Sequence, residues 1–271
     1  MRIFIGCFLY VVWYTLGITV LCGLVVEGCY RLCFRLMGQR RGRAFWFATS
    51  WLGTPVHESG HALMCLLFGH RIECVRLFPS RHGVAMVQHS YSRKNPYATM
   101  GNLLIGLGPI FTGLAVILVV LMLVYPASLG DFYAMSDASD AKWVWLLLDH
   151  MWRLLRGLFT EATRPVWMRI VAIVVLFSVT LHVRLSAADI RGMLRGLPYY
   201  LVLCALASAV VAIIGQRAYT AVLRALVSYG GTILMLFGLI FLIALLQLAL
   251  ILVYRALSFV FAVIFAKAPM A

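Results

Sequence analysis

An all-α polytopic membrane protein, with about six spanning helices and one short membrane-associated β-hairpin, is the fold class this sequence predicts. Three observations carry it. Of the 271 residues, 63% are hydrophobic and 12% charged, against about 45–50% and about 25% in a soluble domain. Apolar runs of about the 20 residues that a spanning helix needs recur five or six times. The interval 70–99 breaks the series with short, β-branched-containing stretches around turn residues, which reads as a hairpin.

The first run, 3–30, is too long for a signal-peptide core and shows no small-x-small cleavage site. It reads as an uncleaved span. Residues 31–43 form a basic connection with five arginines, and 44–69 form the second run. Within it, Thr54 and Pro55 look like a cap and first-turn proline, or else a kink. Stretches 72–78 and 84–89 flank Pro79, Ser80 and Gly83, placing the hairpin at about 71–90. His82 and His89 read there as solvated turn or strand residues rather than zinc ligands. The third run, 100–125, is rich in glycine around Pro109, and Asn102 near its start reads as a cap or a substrate contact. A polar loop, 126–142, precedes an amphipathic stretch, 143–161. Asp149, Arg153, Arg156 and Thr160 fall on one face of that stretch, as in an interfacial helix. The last spans are expected at 166–183, 197–214 and 225–254, with a basic turn around Gln216, Arg217 and Arg224. One integral domain results: a first span and basic loop (1–43), a core (44–200) and C-terminal spans (201–271).

The net charge of +14 points to lipid headgroups rather than nucleic acid, because the basic residues sit between apolar runs. Alternating six spans puts eleven Lys and Arg on each side, so charge leaves orientation open. Cys7, Cys22, Cys29, Cys65 and Cys204 lie inside apolar runs without a CxxC pair, and read as buried thiols.

His57-Glu58-Ser59-Gly60-His61 is an H-E-x-x-H motif in a helical apolar context. Positions i and i+4 of a helix share a face, so both imidazoles can bind one zinc ion, with Glu58 placed as base toward metal-activated water. Ionisable residues inside a membrane segment are costly and point to function. A catalytic zinc takes three protein ligands and keeps one position open. Among nine acidic residues, Asp189 stands just beyond a spanning run whose end approaches His61. It is the expected third ligand. His182, seven residues earlier, is the alternative, and helix capping by Asp189 is the plainer reading.

Together with Gly108-Pro109 and with Asp189 ahead of Gly192, the motif resembles the site-2-protease family of zinc intramembrane metalloproteases. The likeness covers roughly 45–200. This chain has Ala-Asp-Ile-Arg-Gly where that family has Leu-Asp-Gly, and it lacks the family's Asn and Pro upstream. The resemblance implies one Zn²⁺ per chain and a membrane-embedded or membrane-adjacent protein or peptide substrate. It also implies a bacterial cytoplasmic membrane, with the catalytic motif and hairpin toward the cytosol. Small residues such as Ser59, Gly60 and Gly108 are expected to leave room for water. A metalloprotease with a downstream Glu ligand is disfavoured, because no Glu lies between Glu73 and Glu161. A non-catalytic zinc-binding scaffold or transporter is the alternative of another class.

Overall fold

A computed structural model describes residues 1–80, 84–125 and 164–266, with scattered positions between 145 and 160. In chain order the elements are α1 (Arg2–Val12), a π-helical turn (Trp13–Gly17), α2 (Ile18–Met37) and α3 (Gln39–Leu67). Strands β1 (Arg71–Arg76) and β2 (Met86–Ser90) follow, then α4 (Pro96–Val124), α5 (Val166–Thr180), α6 (Ala187–Ile214) and α7 (Gln216–Ala266). Among the described residues, four helical stretches are long and apolar enough to cross a membrane: Arg2–Met37, α4, α6 and Gln216–Phe261. Helix α5 is apolar but shorter. Helix α3 holds the H-E-x-x-H motif beyond an arginine-rich first turn.

Several boundaries differ from expectation. The basic connection at 31–43 is helical except at Gly38 (φ 75°), since arginine stems can lie along a helix while their heads reach water. Pro55 is in the interior of α3 and neither opens nor caps it. The missing N–H leaves the carbonyl one turn earlier without its intrahelical donor. Asn95, with Pro96 at the first helical position, starts α4: its side chain accepts from the backbone N–H of Tyr97 (3.0 Å) and Ala98 (3.3 Å). Asn102 is therefore no cap, and it lies buried in the second turn. Residues 216–224 are helical, and the break before them narrows to Gly215 (φ 104°). The described positions between 145 and 160 are helical. Arg153 pairs there with Asp149, and Trp145, Leu148 and Trp152 are exposed. His82 and the loop at 126–142 lie outside the described residues. All seven cysteines are free; Cys22, Cys29 and Cys74 are only partly buried.

Helix α4 is the axis of the core. It packs against α3 on one side and α6 on the other, and its Leu103, Leu107, Ile110, Ile117 and Leu121 are fully buried. Between membrane helices such packing rests on close approach through small residues. A methyl built on Gly60 would lie 2.5 Å from the Gly108 carbonyl oxygen, and one on Gly196 would lie 2.6 Å from the Leu103 nitrogen. Three helices thus meet backbone to backbone around the motif. The hairpin is antiparallel, pairing Arg71 with Ser90 and Arg76 with Met86, with an irregularity between Ile72 and Cys74. Phe78 leans on Trp51 of α3, ring centroids 5.6 Å apart.

Candidate metal centre

The i, i+4 spacing on α3 brings the rings of His57 and His61 to 5.0 Å between centroids. Asp189, from the first turn of α6, completes a group whose donor atoms all lie within 4.8 Å of one another. His61 Nε2 stands 3.2 Å from Asp189 Oδ1. Two donors each about 2.0–2.1 Å from a tetrahedral zinc are about 3.3 Å apart, so this pair already has the required separation.

Backbone carbonyls orient both imidazoles. His57 Nδ1 donates to the His182 carbonyl and His61 Nδ1 to the Ile105 carbonyl, each at 2.8 Å. A carbonyl oxygen can only accept, so each neutral ring carries its proton on Nδ1 and presents the Nε2 lone pair to a cation. Asp189 divides its oxygens between two tasks. Oδ2 accepts from the Ser186 backbone N–H at 2.8 Å, while Ser186 Oγ accepts from the Asp189 N–H at 3.1 Å. This capping box holds the carboxylate rigidly and leaves Oδ1 toward His61. Capping and ligation are therefore compatible in one residue. Two imidazoles and one carboxylate facing open space are a donor set suited to catalytic zinc.

Glu58 is buried beside these residues and faces the same cavity as Val87 of β2. Together with His57, His61, Asp189 and the 84–87 stretch, it lines a cavity of about 380 Å³. The chain also matches the family described as Peptidase M50B-like over residues 32–180. It belongs to that family. Membership makes it a member of a group of membrane metalloproteases, in agreement with the site-2-protease resemblance of the motif. The matched segment contains His57, Glu58, His61 and Gly108-Pro109, and Asp189 follows nine residues beyond its end. No curated protein and no solved structure matches the chain.

Other sequence candidates of this M50B-like chain fall elsewhere. His182 does not join the donor cluster. Its backbone carbonyl anchors His57, its Nδ1 donates to the Ser178 carbonyl at 2.9 Å, and its Nε2 is buried without a partner at the cavity wall. Gly60 and Gly108 do not leave room for water, because each is filled by the other's backbone. Ser59 is exposed and donates to the Val56 carbonyl. His89 is not solvated; it is half-buried against His70.

Two charged residues near the M50B-like site escaped sequence reasoning. Arg184 lines the cavity, donates to Glu27 at 3.0 Å and lies over the Tyr30 ring, 4.3 Å from its centroid. Glu27 also pairs with Arg31 at 2.7 Å. The Glu27–Arg184 link joins positions 157 residues apart, which no local pattern reveals. Ser186 was legible in principle, since Ser-Ala-Ala-Asp has the spacing of a capping box.

Proposed function

We propose that the chain is a zinc-dependent intramembrane endopeptidase that cleaves membrane-embedded or membrane-adjacent protein or peptide substrates. The observation that carries this reading is the convergence of His57, His61 and Asp189 beside the buried Glu58, on a cavity bounded by a β-strand. His57, His61 and Asp189 would hold the metal. When bound, zinc supplies a Lewis acid that polarises the scissile carbonyl and makes water a competent nucleophile near neutral pH. Glu58 takes the proton from the attacking water and returns it to the leaving amine. A helical substrate hides its peptide bonds in its own hydrogen-bond ladder and must be held extended. The edge of β2 not paired to β1 can hold it by strand addition, with the 84–87 stretch at the cavity. Irregular backbone at membrane depth is tolerated where protein and a cavity surround it.

In this reading α3 and α5 join the four long apolar helices to give six crossings. The hairpin and the motif lie toward the cytosol of a bacterial membrane, and the bilayer is a standing partner. Glu58→Gln tests the assignment, because it keeps shape and removes the base. It is expected to retain zinc and fold, to lose cleavage by about 10²–10⁴-fold, and to co-purify with uncleaved substrate. Wild-type cleavage of an identified partner by Glu58→Gln would leave the non-catalytic scaffold as the better account.

A further inference from the structure

A second cluster of metal-binding side chains lies where α3 meets the hairpin. Helix α3 ends in a Schellman motif: the His70 N–H bonds to the Cys65 carbonyl at 2.8 Å, and the Gly69 N–H to the Leu66 carbonyl at 3.3 Å. Gly69, at φ 67°, supplies the left-handed residue that this motif requires. The motif characteristically brings the residue after the glycine onto the last full turn, here His70 onto Cys65. Strand β2 then delivers His89 from the other side. The donor atoms of Cys65, His70 and His89 all lie within 4.8 Å of one another, although they come from a helix, its terminal turn and a strand.

We propose that Cys65, His70 and His89 form a second zinc site, which pins the hairpin to the end of the catalytic helix. His70 shows the same preparation as the histidines of the first cluster. Its Nε2 donates to the Ala98 carbonyl at 2.7 Å, so the neutral ring keeps its Nδ1 lone pair for the cluster. Tyr91 stacks on that ring, centroids 4.7 Å apart and planes within 19°, which holds its orientation. His70 Nδ1 lies 2.9 Å from His89 Nδ1. Without metal the proton between them belongs to His89. On binding, that proton moves to His89 Nε2, and the Cys65 thiol releases its proton to solvent. One thiolate and two imidazoles are the donors that Zn²⁺ favours. A cavity of about 190 Å³ is lined by His61, Asp189 and His89 together, so His89 stands between it and the second cluster.

The test uses the full chain purified in detergent, stripped of metal and titrated with Co²⁺. The proposal expects one Co²⁺ equivalent accompanied by a thiolate-to-cobalt charge-transfer band, whatever happens at His57. Cys65→Ser should lose that equivalent and the band while keeping the other cobalt. His57→Ala should do the reverse. The first cluster contains no sulfur, so failure there removes cobalt without touching the band. Should Cys65→Ser fail to fold, His89→Ala, on the half-buried strand, is expected to weaken the band-forming site at least tenfold. Absence of a thiolate band in the wild type overturns the proposal. So does a band that survives Cys65→Ser, or His89→Ala binding as tightly as wild type.

Discussion

His57 and His61 look into a cavity of about 380 Å³, whereas Cys65 and His70 at the end of the same helix are 0% and 4% exposed. The two clusters are one helical turn apart, about 6 Å along the axis. Both orient imidazoles on backbone carbonyls, at Ile105 and His182 in one and at Ala98 in the other. They differ in what faces the donors. The first has the Glu58 carboxylate beside it, an aspartate held in a capping box on another helix, and open space; the second has a thiol, a strand and no carboxylate among its donors. The helical period supplies the His57–His61 pair, and the Schellman ending supplies the Cys65–His70 pair. Chemistry is decided by the element packed opposite.

The sharpest way to separate the clusters mechanically is Gly60→Ala. Its new methyl would meet the Gly108 carbonyl oxygen at 2.5 Å and Pro109 nitrogen at 2.6 Å, and backbone cannot move aside as a side-chain tip can. Overpacking typically costs about 1–3 kcal/mol, and this contact belongs at the upper end. The variant should unfold at lower temperature in detergent and lose cleavage, since α3 must leave the α4 carbonyl that orients His61. The thiolate band should be hurt less, because the helix end itself joins His70 to Cys65, although the Ala98 carbonyl that orients His70 also belongs to α4. Unchanged thermal unfolding in Gly60→Ala would show that the helices do not touch there.

The motif, the hairpin and the joining of Asp189 to His57 and His61 were legible because each is written in residue types at telling positions. The carbonyls of His182 and Ile105 were not, since a backbone oxygen has no residue identity. Thr54 and Pro55 mimic a helix start, yet packing against α4 and α5 carries α3 through them. Arginines at 31–43 read as a loop only because composition cannot distinguish a loop from a helix whose arginine heads reach water. The pairing of Cys65 with His70 was within reach, because Gly69 after an apolar helical run signals a Schellman ending. His89 was not, since strand register decides what a strand histidine meets.

A smaller effect is expected at Ser186, which acts only through Asp189. Ser186→Ala removes the side-chain half of the capping box, a loss of about 1 kcal/mol in stability. Asp189 keeps its own bond to the Ser186 N–H but is less rigidly aimed. Loss of such an outer contact typically weakens metal affinity about 10–100-fold. Competition with a chelator should register that drop at the His57 cluster alone. An equal drop at the Cys65 cluster would show that the two sites share one rigid frame.

An equally local change is Gly69→Ala, the mirror of Ser186→Ala on the other cluster. Nothing lies within 4 Å of a methyl built there, so its cost is conformational. Holding an L-residue in the left-handed region costs roughly 1–2 kcal/mol, and relieving it would rotate His70 away from Cys65. The thiolate band should therefore form with weaker cobalt affinity, while metal at His57 is unaffected. Asparagine tolerates the left-handed region far better than alanine, so Gly69→Asn should recover most of the loss. That rescue distinguishes backbone strain from a surface effect, since asparagine is the larger side chain. If Gly69→Asn bound cobalt at the thiolate site as poorly as Gly69→Ala, the Schellman turn would not be what delivers His70.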